Sequence, residues 1–145
     1  MTETEIDWAA IAGSEWYKPD RVIPAFAEVR KASNTASNAM LFAVGNNHAG
    51  ELYPAAFHAV PILLDIAAND PSQTVRATAL AILDDMMWFT PGLAPLDTVK
   101  VDGVDTQIDV AIRSLVAAAL PMLKRQAGQT KLIGSLAETL AAHDG

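Results

Sequence analysis

The chain has 145 residues, no cysteine and a formal net charge of −7, which excludes disulfides, thiol nucleophiles and thiolate metal sites and makes its average surface repel phosphate backbones and anionic headgroups. Hydrophobic residues make up 51% of it and charged residues 19%, too apolar for a disordered chain, and a length that buries roughly 68 to 70% of its unfolded surface supports one self-sufficient domain over 1–145. The acidic start lacks the basic and apolar regions of a secretory signal, and no apolar run approaches the ~20 residues that span a bilayer, so a cytoplasmic protein with no membrane partner is expected.

The abundance of Ala and Leu and the scarcity of β-branched runs favour helices. A short first helix is expected over 6–11, interrupted by Gly13 and by Lys18-Pro19, with Asp20 as the cap of the next. That second helix covers 21–32, where Val22, Ile23, Phe26 and Val29 recur at three- and four-residue steps. A third covers 34–44 and stops at Gly45-Asn46-Asn47, residue types that tolerate the left-handed conformation at a helix end.

The spacing of Tyr53, Ala56, Phe57, Val60, Leu63, Leu64 and Ala67 lines one face of a long helix. Pro54 suits its first turn, whereas Pro61 falls inside the pattern and should bend it. Asn69-Asp70-Pro71 then closes this helix and opens another that runs to about Phe89, with Asp70 as cap, Pro71 as first helical residue and Gln73 completing a capping box. Residues 90–104 break the rhythm, and TVKVDGVDT reads as a small hairpin around Asp102-Gly103. Thr106 is the expected cap of a helix ending near Ala127, and a last helix covers 130–143.

Three prolines within helical patterns, Pro24, Pro61 and Pro121, suggest an internal repeat. The first two are 37 residues apart and the last two 60, against a period of about 40 in helical repeats of this size. An irregular insertion around 90–105 accounts for most of the surplus.

The unit from Ala59 to Met87 resembles a HEAT repeat: Pro61 in its first helix, Asp70 in the turn, and Val75-Arg76 opening its second helix. The flanking copies match less, since no turn aspartate or Val-Arg pair follows Pro24, and after Pro121 the turn is only Gly128-Gln129-Thr130. The segment HAGELYPAAFHAVPILLDIA is also similar to small bacterial HEAT-like proteins, some of which serve as immunity or adaptor proteins. The resemblance implies an all-α fold, an α-α superhelix or armadillo-like solenoid of about three helix pairs, and a protein that works by binding another.

The residues with chemistry to offer are few. His48, in a glycine- and asparagine-rich loop, is the foremost functional histidine; His58 borders an apolar face and His143 lies near a chain end. Asp84 and Asp85, adjacent on a helix, point in different directions and read as solvated charge, as do the dispersed Asp97, Asp102, Asp105 and Asp109. No metal is expected, because no HExxH, DxDxDG or i,i+4 histidine pair occurs, and no cofactor, because there is no phosphate-cradling loop or GxSxG elbow. Trp88, three and four residues after Asp85 and Asp84, either plugs a groove between helix pairs or stands exposed as a contact anchor. Trp16-Tyr17 poses the same choice.

The reading that leads is a non-enzymatic protein-binding module, an inhibitor or adaptor, whose acidic surface meets a basic partner through His48, the face near Trp88, Asp84 and Asp85, or the loop bearing Asp102 and Asp105. A helical-repeat enzyme like the DNA glycosylases would need Trp88 with Asp84 or Asp85 as its site. The scattered basic residues form no stripe, so no nucleic-acid partner is expected. A self-associating unit, such as a homodimer joined through an apolar end, is the third class.

Overall fold

A computed structural model describes residues 1–125 and 129–144. The expected end of a helix at Ala127 and the turn glycine Gly128 lie outside the described residues.

The N-terminus forms two 3-10 turns, Glu3–Glu5 and Trp8–Ala10, in place of the helix expected over 6–11. Burial of Trp8 decides this. Its indole Nε1 donates to the Glu3 carbonyl at 2.8 Å, its own carbonyl accepts the Tyr17 hydroxyl at 2.7 Å, and its ring lies 6.1 Å from that of Phe26. A continuous helix would not let the chain fold back to make those bonds.

A third 3-10 turn, Pro19–Arg21, leads into α1 (Val22–Arg30), so Asp20 lies within that turn and does not cap the helix. Pro24 consequently falls in the first turn of α1, where a missing amide costs nothing. Pro61 in α3 (Pro54–Asn69) and Pro121 in α5 (Ile108–Lys124) sit well inside their helices. The three prolines thus occupy unlike helical positions, although all three are exposed.

After α2 (Ala36–Ala43) the chain turns into strands. β1 (Gly45–Asn46) pairs antiparallel with β2 (Glu51–Leu52), and β3 (Thr90–Pro91) adds parallel to β2. Gly45 is required here for close approach rather than for a left-handed stop: a side-chain carbon on it would collide with the Glu51 carbonyl oxygen. A second sheet pairs β4 (Thr98–Val101) with β5 (Val104–Gln107) across a two-residue turn at Asp102 (φ 50°) and Gly103 (φ 80°). Both central residues have positive φ, the geometry that suits a twisted hairpin. This is the hairpin legible in TVKVDGVDT. It absorbs Thr106 into β5, so α5 starts behind Gln107 instead.

The turn between α3 and α4 (Gln73–Met86) is built differently from the expected capping box. Asp70 is extended and its Oδ1 accepts from the Ser72 amide at 2.9 Å, while Ser72 is the cap, its Oγ accepting from the Val75 amide at 3.3 Å. Arg76 reaches back to the turn through Nη1, which donates to the Asp70 carbonyl at 2.6 Å. Asp70 and Arg76 therefore hold one turn together, with the main chain as the acceptor.

One apolar core runs through all six helices. α3 packs against α4 and α5, α1 against α2, and α6 (Thr130–Asp144) against α4 and α5. Phe26, Met40, Leu63, Leu83, Met86 and Ile112 are fully enclosed. The expectation of an all-α superhelix is corrected: among the described residues six helices are joined by five strands in two small sheets. The insertion around 90–105 supplies three of those strands. One of them, β3, pairs with β2, Thr90 opposite Glu51 and Pro91 opposite Leu52, so the insertion is bonded to the body of the fold.

Candidate functional site

The chain between Ala12 and Arg21, the β1–β2 loop and the segment after β3 come together around an exposed groove. Its central cleft, about 310 Å³, is walled by the rings of Trp16, Phe42 and Tyr53 and edged by Arg21, Asn46 and His48. Beyond Trp16 it opens into a second depression of about 410 Å³ containing Glu51, Leu93 and Leu96. On the other side, past Arg21 and Phe42, it continues into a shallow channel between α1 and α2 lined by Pro24, Glu28 and Asn38. The three share residues and form one continuous groove.

Packing sorts the adjacent pair Trp16-Tyr17 into two roles. Tyr17 is buried against Tyr53, with ring centroids 6.0 Å apart, and desolvation by burial, helped by nearby Asp7, pushes its hydroxyl up to about 12. Trp16 is 66% exposed, and Leu93, which lines the same depression, is 89% exposed. Large apolar side chains left this open around one depression are a surface suited to being covered.

The loop bearing His48 is held by its own side chains. Asn46 Oδ1 accepts from the amides of His48 and Ala49 at 3.1 and 3.3 Å, and Asn47 donates to Asn38 Oδ1 at 3.0 Å. The His48 ring rests edge-on to Phe42 at 5.0 Å. Thr90, at the start of β3, donates its amide to the Gly50 carbonyl at 2.8 Å and ties the loop to the segment that carries Leu93. The groove is thus set by sheet pairing between distant stretches of chain.

The other candidates lie elsewhere. Trp88, at the end of α4, is 57% exposed and packs against the His143 ring at 4.7 Å, so it neither plugs a groove nor joins His48. Asp84 is occupied, its two oxygens accepting from Ser135 Oγ and Thr139 Oγ1, each at 2.5 Å. Asp85 faces solvent beside it; burial of part of its surroundings and then the Asp84 charge raise its carboxyl above the usual range. Asp102 occupies the hairpin turn, and Asp105 pairs with Lys100 at 2.9 Å, both side chains being largely exposed. His58 lines a separate hollow with Phe57 and Pro61, where burial lowers its basicity.

Among the described residues no cluster of three or more His, Asp or Glu side chains is placed to hold a metal ion, and no helix is long and apolar enough to cross a membrane. The groove offers aromatic faces, hydrogen-bond donors and apolar edges.

No family model, curated protein or solved structure matches this chain.

Of the groove residues, sequence reasoning singled out His48 and the Trp16-Tyr17 pair. It missed Arg21, Phe42 and Leu93. Leu93 carried a usable signal, a lone leucine between Gly92 and Ala94-Pro95 in a stretch with no periodicity to bury it. Arg21 and Phe42 carried none, since each reads as an ordinary member of a helical pattern.

Proposed function

We propose that the protein is a non-enzymatic binding module that receives an extended segment of a partner protein in the groove running from Leu93 past Trp16 to the α1–α2 channel. The observation that carries this reading is the pair Trp16 and Leu93, 66% and 89% exposed and lining the same depression of the groove. Exposed aromatic and apolar anchors beside a preformed cleft are the usual centres of binding energy at interfaces. Carboxylates stand at both ends, Asp20 and Glu28 at one and Glu51 at the other. These favour basic residues toward the ends of the segment.

An inhibitor or adaptor working in the cytoplasm fits this reading. The α3–α4 pair, with Asp70 and Arg76 bracing its turn, is the part we read as HEAT-like.

Photo-crosslinking in cells tests the site. A photoreactive amino acid placed at His48 and, separately, at Leu93 should capture the same partner, whereas the same probe at Glu138 on α6 should not. Capture from Asp102 or Trp88 and not from the groove would move the working surface away from it.

A further inference from the structure

The middle of the groove differs from its ends in charge. Although the chain carries 17 acidic residues, no carboxylate lines the central cleft, and those near it stand in the adjoining depressions. What lines the cleft instead is a set of donors.

Arg21 is the foremost of them. Arg30 and Arg113 are paired with carboxylates and Arg76 with a main-chain carbonyl, but the Arg21 guanidinium has no partner among the described residues. Its backbone is held in place, the amide donating to the Lys18 carbonyl at 3.0 Å as the 3-10 turn passes into α1. Asn46 adds a second donor. Because its Oδ1 is committed to the amides of His48 and Ala49, its Nδ2 group is left without a partner. The Tyr53 hydroxyl likewise has no partner among the described residues, and the His48 imidazole is oriented by Phe42 at the same edge.

An unpaired guanidinium beside neutral donors and aromatic walls, in an otherwise acidic protein, is complementary to a planar anion. Guanidinium and carboxylate match in shape and form paired charge-assisted hydrogen bonds. We infer that the centre of the groove takes a carboxylate of the bound segment on Arg21, with the neighbouring apolar residue of that segment against Trp16. The inference rests on the proposed peptide-binding role. The carboxylate is that of an Asp or Glu side chain, because a segment that runs the length of the groove does not end at its centre.

Selection of random peptides displayed with a free C-terminus, on the folded full chain, tests this directly. Enriched peptides should carry Asp or Glu at one recurring internal position. In resynthesised peptides, exchange of that residue for its amide (Glu to Gln, Asp to Asn) should weaken binding about fivefold, a factor in keeping with one partly exposed ion pair, whereas C-terminal amidation should not. Arg21→Met should abolish that difference and Arg21→Lys should keep part of it, with unchanged circular dichroism showing that both variants fold. Enriched peptides that bind equally well with the acid or its amide at that position, that weaken only on C-terminal amidation, or that bind Arg21→Met undiminished would overturn the inference and leave peptide binding standing. A selection that enriches nothing would remove both.

Discussion

Glu3 and Arg30, 27 residues apart, form a two-pronged ion pair: Arg30 Nη2 donates to Glu3 Oε1 at 2.7 Å and Nε to Oε2 at 2.9 Å. The Glu3 side chain is only 10% exposed and that of Arg30 38%. The pair clamps the N-terminal turns onto the end of α1, where the main-chain carbonyl of Glu3 accepts from the Trp8 indole Nε1.

The hydrogen bonds from Arg30 hold the Glu3 carboxyl below its ordinary value of 4.5, against the opposing pull of burial. A lowered folded value means that the stabilisation is complete above the unfolded value and is lost as the pH falls through the folded one. Glu3→Gln should therefore cost about 1 to 2 kcal/mol at pH 7. Urea midpoints of the two proteins should converge on acidification below about pH 4.5. A gap that persists undiminished at pH 2 would show that the charge contributes nothing.

Tyr17 works at the opposite end of the pH scale. Its hydroxyl donates to the Trp8 carbonyl at 2.7 Å, and burial raises it to about 12 from an ordinary 10.0. Stability from keeping it neutral is whole below pH 10 and declines as the pH rises toward 12. Tyr17→Phe should lose about 1 kcal/mol at pH 8. Its further loss on going to pH 11 should be smaller than that of the parent protein, as read by chemical denaturation at the two pH values.

Asp84 joins α4 to α6 by accepting from Ser135 and Thr139. Replacement by Ala leaves two hydroxyls of α6 without their acceptor and should cost about 2 kcal/mol. The change should concentrate in α6, which gains faster amide exchange, while α3 keeps its protection. Uniform acceleration across all six helices would argue against a local brace.

Gly45 and Gly134 separate close approach from helix propensity. A methyl group at Gly45 meets the Glu51 carbonyl oxygen, so Gly45→Ala should destabilise by about 1 to 3 kcal/mol and disturb the loop carrying His48. At Gly134, inside α6, the same methyl meets nothing within 4 Å. Gly134→Ala should stabilise by about 0.5 to 1 kcal/mol, the helical preference of Ala over Gly. Thermal melting of the two variants should move in opposite directions.

Much of the helical content was legible in the chain. The stripes of α3 and α4 and the Asp102-Gly103 hairpin stand where periodicity and turn chemistry put them, because each depends on residues within a few positions of one another. The N-terminal turns and the first sheet were not legible. Trp8 is drawn out of a helix by Tyr17 and Phe26, and β3 exists only because Thr90 meets Gly50. Gly45 shows the limit well: the residue type announced a constraint, yet only the fold reveals that the constraint is the Glu51 carbonyl.

The same division holds for the site. Local order along the chain determined the helices, the turn at Asp70, the hairpin and the loop that exposes His48, since hydrophobic spacing, turn-forming residues and proline act at short range. The tertiary structure alone decided that Arg21, Trp16, His48 and Leu93 share one groove and that Asp84 is spoken for by α6. Those relationships arise from strand pairing and side-chain burial between segments tens of residues apart, whose energies depend on partners that no local window contains.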